Sequence, residues 1–383
     1  MGLGGVSVAS DYPEVSKDEL EKILNSLKNR FQNGDYPDYK ERIDRINRLK
    51  LLVEENSEDF HKALQNDFGT RHEQLSLLSD TLPIIASAKH VSKNLSKWMK
   101  PEKRKPNFPL GLLGAKAFIH NQPYGVVGII SPWNFPLNLS LGPLVEVFAA
   151  GNNAMMKLSE FVPETSDLTE KLVKEYFNDD EVVVINGGPQ TSQSFAGLAF
   201  DHLLFTGSTH IAKKIAYEAS ENLVPLTLEL GGKSPVIVGP KAKMKKSVDK
   251  IMMGKLLNAG QICISPDYVF LPEGKENEFV EHAKSYVQES YETLKNNPDY
   301  TSIIHLNHYE RLRSYISDAK SKGAEIVEIN PANEETIGNA SKATSKDVEA
   351  ALRSAAKGLQ IWKKTAPWQR SYILRRIADK MRE

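Results

Sequence analysis

Apolar residues in the first hundred positions recur at helical spacing. Leu20, Ile23, Leu24, Leu27 and Phe31 form one stripe, and Ile43, Ile46, Leu49 and Leu52 form a second. Three- and four-residue intervals predict amphipathic helices packed on one face. Ser16 followed by Glu19 has the form of a capping box, which starts the first helix there. The pattern changes at Tyr124. Gly125–Ile130 is a short apolar run rich in β-branched residues and ended by Ser131-Pro132, which predicts a buried strand. Asn153–Lys157, Val182–Ile185 and His202–Thr206 predict three more, with helical stretches such as Asp167–Tyr176 between them. Strands alternating with helices imply βαβ units and a parallel sheet. Ser234–Val238 opens a further α/β region.

The tail returns to helical spacing. Val348, Ala351, Leu352, Ala355 and Leu359 make one stripe, and Arg370, Leu374, Ile377 and Met381 mark another. Arg370, Leu374 and Ile377 echo Arg42, Ile46 and Leu49 near the head of the same chain. Any helical hairpin can give such an echo.

Composition narrows the class. A chain of 383 residues exceeds one ordinary core, so two domains are expected. With 40% apolar and 26% charged residues it reads as a globular protein. Its 49 basic residues balance 49 acidic ones, which gives no sign of a nucleic-acid binder or a membrane-surface protein. No run of about 18 apolar residues occurs, so no membrane span is expected. Residues 1–15 read as a disordered leader without signal-peptide character. One cysteine excludes an internal disulfide and fits a reducing, cytoplasmic setting.

That cysteine, Cys263, stands in Asn258-Ala259-Gly260-Gln261-Ile262-Cys263, downstream of Leu228-Glu229-Leu230-Gly231-Gly232-Lys233. A thiol in a small, polar, Gly-containing segment can be a nucleophile, and a carboxylate from another segment can activate water. Taken alone, a single cysteine is more often an inert buried thiol. Three further motifs change the balance. Ser131-Pro132-Trp133-Asn134-Phe135-Pro136 follows a buried strand, at the end where parallel sheets place ligands. Met156-Lys157-Leu158-Ser159-Glu160 ends the second strand, where Lys157 can donate to ribose hydroxyls and Glu160 can accept from them. Phe205-Thr206-Gly207-Ser208-Thr209 opens a helix, and Gly207 and Ser208 can bring backbone N–H groups close to a pyrophosphate. Gly187-Gly188 reads as a tight turn on the same side. His202 and His210 are read as structural or solvent-exposed.

In order and wording these motifs resemble the aldehyde dehydrogenase superfamily. Ser265-Pro266-Asp267-Tyr268 is similar to its coniferyl aldehyde dehydrogenase branch. The resemblance implies an α/β chain: a Rossmann-type parallel-sheet NAD-binding domain with N-terminal helices over 16–230 and a partial catalytic domain over 231–335. A helical tail over 336–383 resembles the N-terminal segment of another member. It implies NAD, with NADP as the alternative, and no metal. The substrate would be a small aldehyde, aromatic or medium-chain, with coniferyl aldehyde one candidate. Implied catalytic residues are Cys263 as nucleophile, Glu229 as water activator, and Asn134 with the Cys263 N–H as oxyanion hole. Implied cofactor contacts are Trp133, Lys157, Glu160, Gly207 and Ser208. Glu160 favours NAD because a 2′-phosphate would meet like charge. Leu158 stands where the family usually has proline, and Ala212 where it has a second glycine. The family's later Glu-x-Phe-Gly-Pro segment and its association strand have no match, so the chain is expected to be C-terminally incomplete. The homo-oligomer usual in the family is doubtful for the same reason. Rival readings are an inactive cofactor-binding fragment or pseudoenzyme, a reductase using acyl-phosphate or thioester chemistry, and a purely helical interaction protein.

Overall fold

The computed structural model describes residues 12–327, apart from 35, 292, 295 and 296, together with 339 and 340. The tail over 336–383 otherwise lies outside the described residues.

Helices α1 (Lys17–Asn33), α2 (Tyr39–Glu55), α3 (Ser57–Phe68), α4 (Glu73–Ser76) and α5 (Leu82–Trp98) open the chain. As the capping pattern predicts, the Ser16 hydroxyl accepts from the Glu19 N–H at 3.2 Å. A single π-helical turn over Leu77–Thr81 precedes α5. An antiparallel pair, β1 (Glu102–Arg104) and β2 (Ala117–Ile119), follows. Then come β3 (Val126–Ile130), α6 (Leu141–Ala149), β4 (Asn153–Lys157), α7 (Pro163–Tyr176) and β5 (Val182–Ile185). Next are α8 (Pro189–Ala196), β6 (His202–Gly207), α9 (Thr209–Ser220) and β7 (Leu226–Leu230). The second lobe holds β8 (Ser234–Ile237), α10 (Met244–Leu256), β9 (Pro266–Phe270), α11 (Glu276–Ser290) and α12 (Leu306–Ser321).

Five strands form one parallel sheet in the order β5-β4-β3-β6-β7. The chain winds outward from β3 to β5, then returns to place β6 on the other side of β3. The strand order therefore reverses between β3 and β6, and the carboxyl ends of those strands form a ligand crevice. The central strands β3 and β4 are covered on both faces, which explains why they read as continuous buried runs, while the edge strand β7 is largely exposed. Val127, Ile129, Ala154 and Met156 pack into a core with α2, α3, α5, α6 and α7. Val126, Ile130, Met155 and Phe205 point the other way, into a core with α1, α8 and α9. Each such side chain, fully buried, contributes about 1.5–3 kcal/mol.

Ion pairs fix the first face. Arg48 donates to both Glu181 carboxylate oxygens, at 2.9 and 2.7 Å, and Arg45 donates to the Asn153 side chain at 3.1 Å. These bonds lock α2 against the edge of the sheet. The leader differs from the expected disorder over its last residues. The Glu14 carboxylate accepts from the Thr191 N–H and hydroxyl, both at 2.6 Å, and from the Gln190 N–H at 3.2 Å. A carboxylate at the start of α8 satisfies otherwise unpaired helix N–H groups, and this docks residues 12–15 on the domain.

The second lobe is smaller. β8 and β9 pair in parallel, and Val238, Met244, Val248, Ile251 and Ala283 form its core. Ile237, Met253, Ile264 and Tyr268 remain exposed around it. Among the described residues no helix is long and apolar enough to cross a membrane.

Candidate active site

All five strands of the main sheet end at one edge, and the sequence motifs leave from it. The ladder continues past the strands: the Ser131 N–H donates to Lys157 O at 3.1 Å and the Leu158 N–H to Ile185 O at 3.3 Å. This sets the loop carrying Trp133 and Asn134 beside the turn carrying Lys157 and Glu160. Lys157 is 1% exposed; its ammonium donates to Leu158 O at 2.5 Å and lies 3.5 Å from the Glu160 carboxylate. Burial pulls the Lys157 ammonium below its usual range, opposed by the charges of Glu160 and Glu14. Gly207 closes β6 at a crowded point, since a Cβ there would lie 2.5 Å from the end of the Phe205 ring. Ser208 caps α9, its hydroxyl accepting from the Ile211 N–H at 3.3 Å. The start of α9 thus lies at the carboxyl end of β6, where a helix N-terminus suits an anionic pyrophosphate. With the Lys157–Glu160 pair at the end of β4, two strands away along the same edge, the residues are of the kind that suits a dinucleotide.

The segment that carries Cys263 reaches this edge from the second lobe. Glu229 pairs with Thr206 across β6 and β7, one position before Gly207. The chain then turns through Gly231-Gly232 into β8, which runs beside β9. Cys263 lies just before β9, and a Cβ on Gly232 would sit 3.7 Å from the Cys263 carbonyl oxygen. Glu229 therefore sits near the end of β7, Cys263 in the loop that adjoins the turn after it, and both are exposed. Asn134 is half-buried, and its side-chain N–H donates to Gln261 O at 3.0 Å, two residues from the thiol. Asn134 is thus tied to the loop that carries Cys263, and Glu229 leads into the Gly231-Gly232 turn that passes the same loop.

Sequence patterning missed several residues around these. The first turn of α12 covers the β3 loop: the His308 ring lies 5.1 Å from Trp133, and the His305 ring 5.2 Å from Phe161. Burial, with Arg311 and His305 nearby, lowers the His308 imidazole below its usual range, so it stays neutral beside Trp133 at pH 7. Arg71, Asp80, Asn258 and Gln261 form a buried polar network behind Asn134. Nothing in the local pattern around Arg71 or Asp80 announces it, because its members meet only in space. His202 behaves as expected of a structural residue, within 2.9 Å of the Thr227 hydroxyl and stacked on Tyr124. The open pocket of about 550 Å³ beside Tyr124, Asn152 and His202 lies at the amino ends of the strands, the wrong end for this chemistry. Among the described residues no cluster of His, Cys, Asp and Glu could hold a metal.

The aldehyde dehydrogenase family model matches residues 6–328 and, as a second match, residues 326–383. A probable coniferyl aldehyde dehydrogenase of Caulobacter vibrioides is 47% identical over 331 residues, covering 86% of this chain and 68% of that protein. The coniferyl aldehyde dehydrogenase of a Pseudomonas species is 43% identical over 335 residues, 88% of this chain and 67% of that protein. The chain thus spans about two thirds of the length of these relatives. Among solved structures, substrate-bound Staphylococcus aureus AldH is 32% identical with a TM-score of 0.77, covering 85% of this chain and 71% of that one. An NAD+ complex of Mycobacterium tuberculosis aldehyde dehydrogenase shares the fold at 22% identity and a TM-score of 0.72, covering 82% and 65%.

Proposed function

Because the chain belongs to the aldehyde dehydrogenase family, we propose that it oxidises an aldehyde to its carboxylic acid, with NAD as oxidant and Cys263 as covalent nucleophile. The supporting observation is the bond from the Asn134 amide to Gln261 O, which draws an N–H donor to the loop that carries the only thiol. The Cys263 thiolate adds to the aldehyde carbon. The oxyanion that forms is met by the Asn134 side-chain N–H and the Cys263 backbone N–H. Bound NAD would supply the hydride acceptor that this carbon needs for the Cys263 adduct to become a thioester. Glu229 takes a proton from water, whose oxygen attacks the thioester; the acid departs and the thiol is restored. Lys157 and Glu160 orient the cofactor's ribose, Gly207 and Ser208 admit its pyrophosphate, and Trp133 flanks the reacting end.

The coniferyl aldehyde dehydrogenases among the relatives favour an aromatic aldehyde of that type as substrate. A second reading, an inactive cofactor-binding protein, is favoured by the exposure of Cys263 and Glu229. One experiment separates the two. The parent chain and Cys263→Ala are assayed with coniferyl aldehyde while NAD binding is followed by calorimetry. Turnover lost in the variant, with NAD affinity held within about threefold, supports the enzyme. NAD binding without turnover in the parent supports the inactive protein. Equal turnover in both removes Cys263 from the mechanism.

A further inference from the structure

The approach to Cys263 is held in a backbone conformation that it does not sustain by itself. Asn258, Ala259 and Gly260 are consecutive left-handed residues, with φ of 50°, 52° and 74°. Glycine adopts that region freely and asparagine occasionally, but alanine at 259 is strained there. Such a run persists when its surroundings over-determine it. The surroundings here converge on one side chain. Arg71, 1% exposed, donates through Nη1 to Asn134 O at 2.9 Å and to Asn258 Oδ1 at 3.2 Å. Its Nη2 donates to the Asp80 carboxylate at 2.6 Å, and its Nε to the Ser76 hydroxyl at 3.3 Å. The guanidinium also lies over the Phe68 ring at 4.5 Å and the Phe135 ring at 5.3 Å.

The other members close the circuit. Asp80 is fully buried, and its second oxygen accepts from the Leu137 and Asn138 N–H groups at 3.2 and 3.3 Å, fixing the far end of the Asn134 loop. Asn258 Nδ2 donates to Asn134 O and to Gln261 O, both at 3.3 Å. Gln261 donates to Ser302 O at 3.0 Å and accepts from the Ile304 N–H at 3.1 Å. Thr70, next to Arg71, holds the same segment by accepting from the Ser302 N–H at 3.0 Å. A single guanidinium therefore touches both the oxyanion-side loop and the nucleophile-side loop. A planar five-donor group can do this, whereas an ammonium at the same place cannot serve the two loops and Asp80 together.

We propose that Arg71, oriented by Asp80, is a positioning residue that sets the Cys263 loop against Asn134. Its catalytic consequence rests on the function proposed above, but its effect on the thiol does not. Cys263 is the only cysteine, so its reaction with a chromogenic disulfide reports on this loop alone. Arg71→Lys keeps a cation beside Asp80, and Asn258→Gly keeps a residue suited to positive φ while removing the side-chain bonds. Both variants and the parent are melted, titrated with NAD and reacted with the reagent at 25 °C. The expected result is a melting temperature within about 5 °C of the parent, NAD affinity within about threefold, and a thiol rate changed at least fivefold in both. If the parent oxidises aldehyde, the NADH burst should slow by at least tenfold in both. Unchanged thiol rates in folded variants would overturn the proposal whether or not the parent turns over. If Arg71→Lys fails to fold, Asn258→Gly decides by the same criteria. Altered thiol rates in a parent without turnover would uphold the positioning role and count only against the assigned activity.

Discussion

Replacing Gly207 with alanine perturbs the sheet and the cofactor edge at one point. Residues 205 and 207 share a face of β6 because strand side chains alternate. The added Cβ would lie 2.5, 3.1 and 3.2 Å from three atoms of the Phe205 ring. The nearest atom must retreat by roughly 1 Å to reach ordinary contact. A ring tip could swing aside on a surface, but Phe205 is 4% exposed and packed in the core with α1, α8 and α9. Overpacking of this kind costs about 1–3 kcal/mol, which lowers the melting temperature by about 2–12 °C in a domain of this size. The same shift displaces Ser208 and the start of α9, so NAD should bind at least tenfold more weakly. Calorimetric melting and NAD titration check both. Unchanged stability with weakened binding would mean that the ring yields freely. Unchanged binding would remove the β6–α9 turn from the cofactor site.

Three further outcomes are open to measurement. Glu229→Gln should leave acylation nearly intact and block hydrolysis, giving a burst of about one NADH per site and then at least a hundredfold slower turnover; equal steady-state rates would make Glu229 structural. Glu160→Gln should narrow the preference for NAD over NADP by about tenfold, read from paired titrations, because the 2′-phosphate would no longer meet a like charge. The Asp67 carboxyl, which accepts from the Glu164 and Thr165 N–H groups at 2.9 Å, is pushed up to about 6 by burial. Folded chains then keep a proton that unfolded chains release, so this group's contribution falls as pH rises from about 4 to about 6. Asp67→Asn should flatten the stability profile in that window, and a profile identical to the parent would contradict the assignment.

Four of the five strands of the main sheet were legible, because burial on both faces forces unbroken runs such as Val126–Ile130 and Val182–Ile185, whereas the largely exposed edge strand β7 was not. Asn134, Lys157, Gly207 and Cys263 were legible as candidates because each sits in a motif beside a strand end. Strands β1 and β2 were not, since exposed residues such as Lys103 and Arg104 carry no apolar alternation. The Arg71–Asp80 pair was invisible for a different reason. Two charged residues nine positions apart read as surface, and only the convergence of α4, the β3 loop and the 258–261 turn makes them interior.

The two lobes bury very unequal amounts of apolar surface, and this bears on how the protein opens. Amide hydrogens of β3 and β4, enclosed by cores on both faces, should exchange only through near-global unfolding. Those of β8 and β9, backed by the small cluster around Val248, should exchange through a much cheaper local opening. Cys263 stands at the seam between the unit expected to open rarely and the one expected to open readily. Protease cuts and deuterium uptake should therefore concentrate in the 231–327 lobe while the nucleotide sheet stays closed, and the lifetime of the assembled site is set by its weaker half.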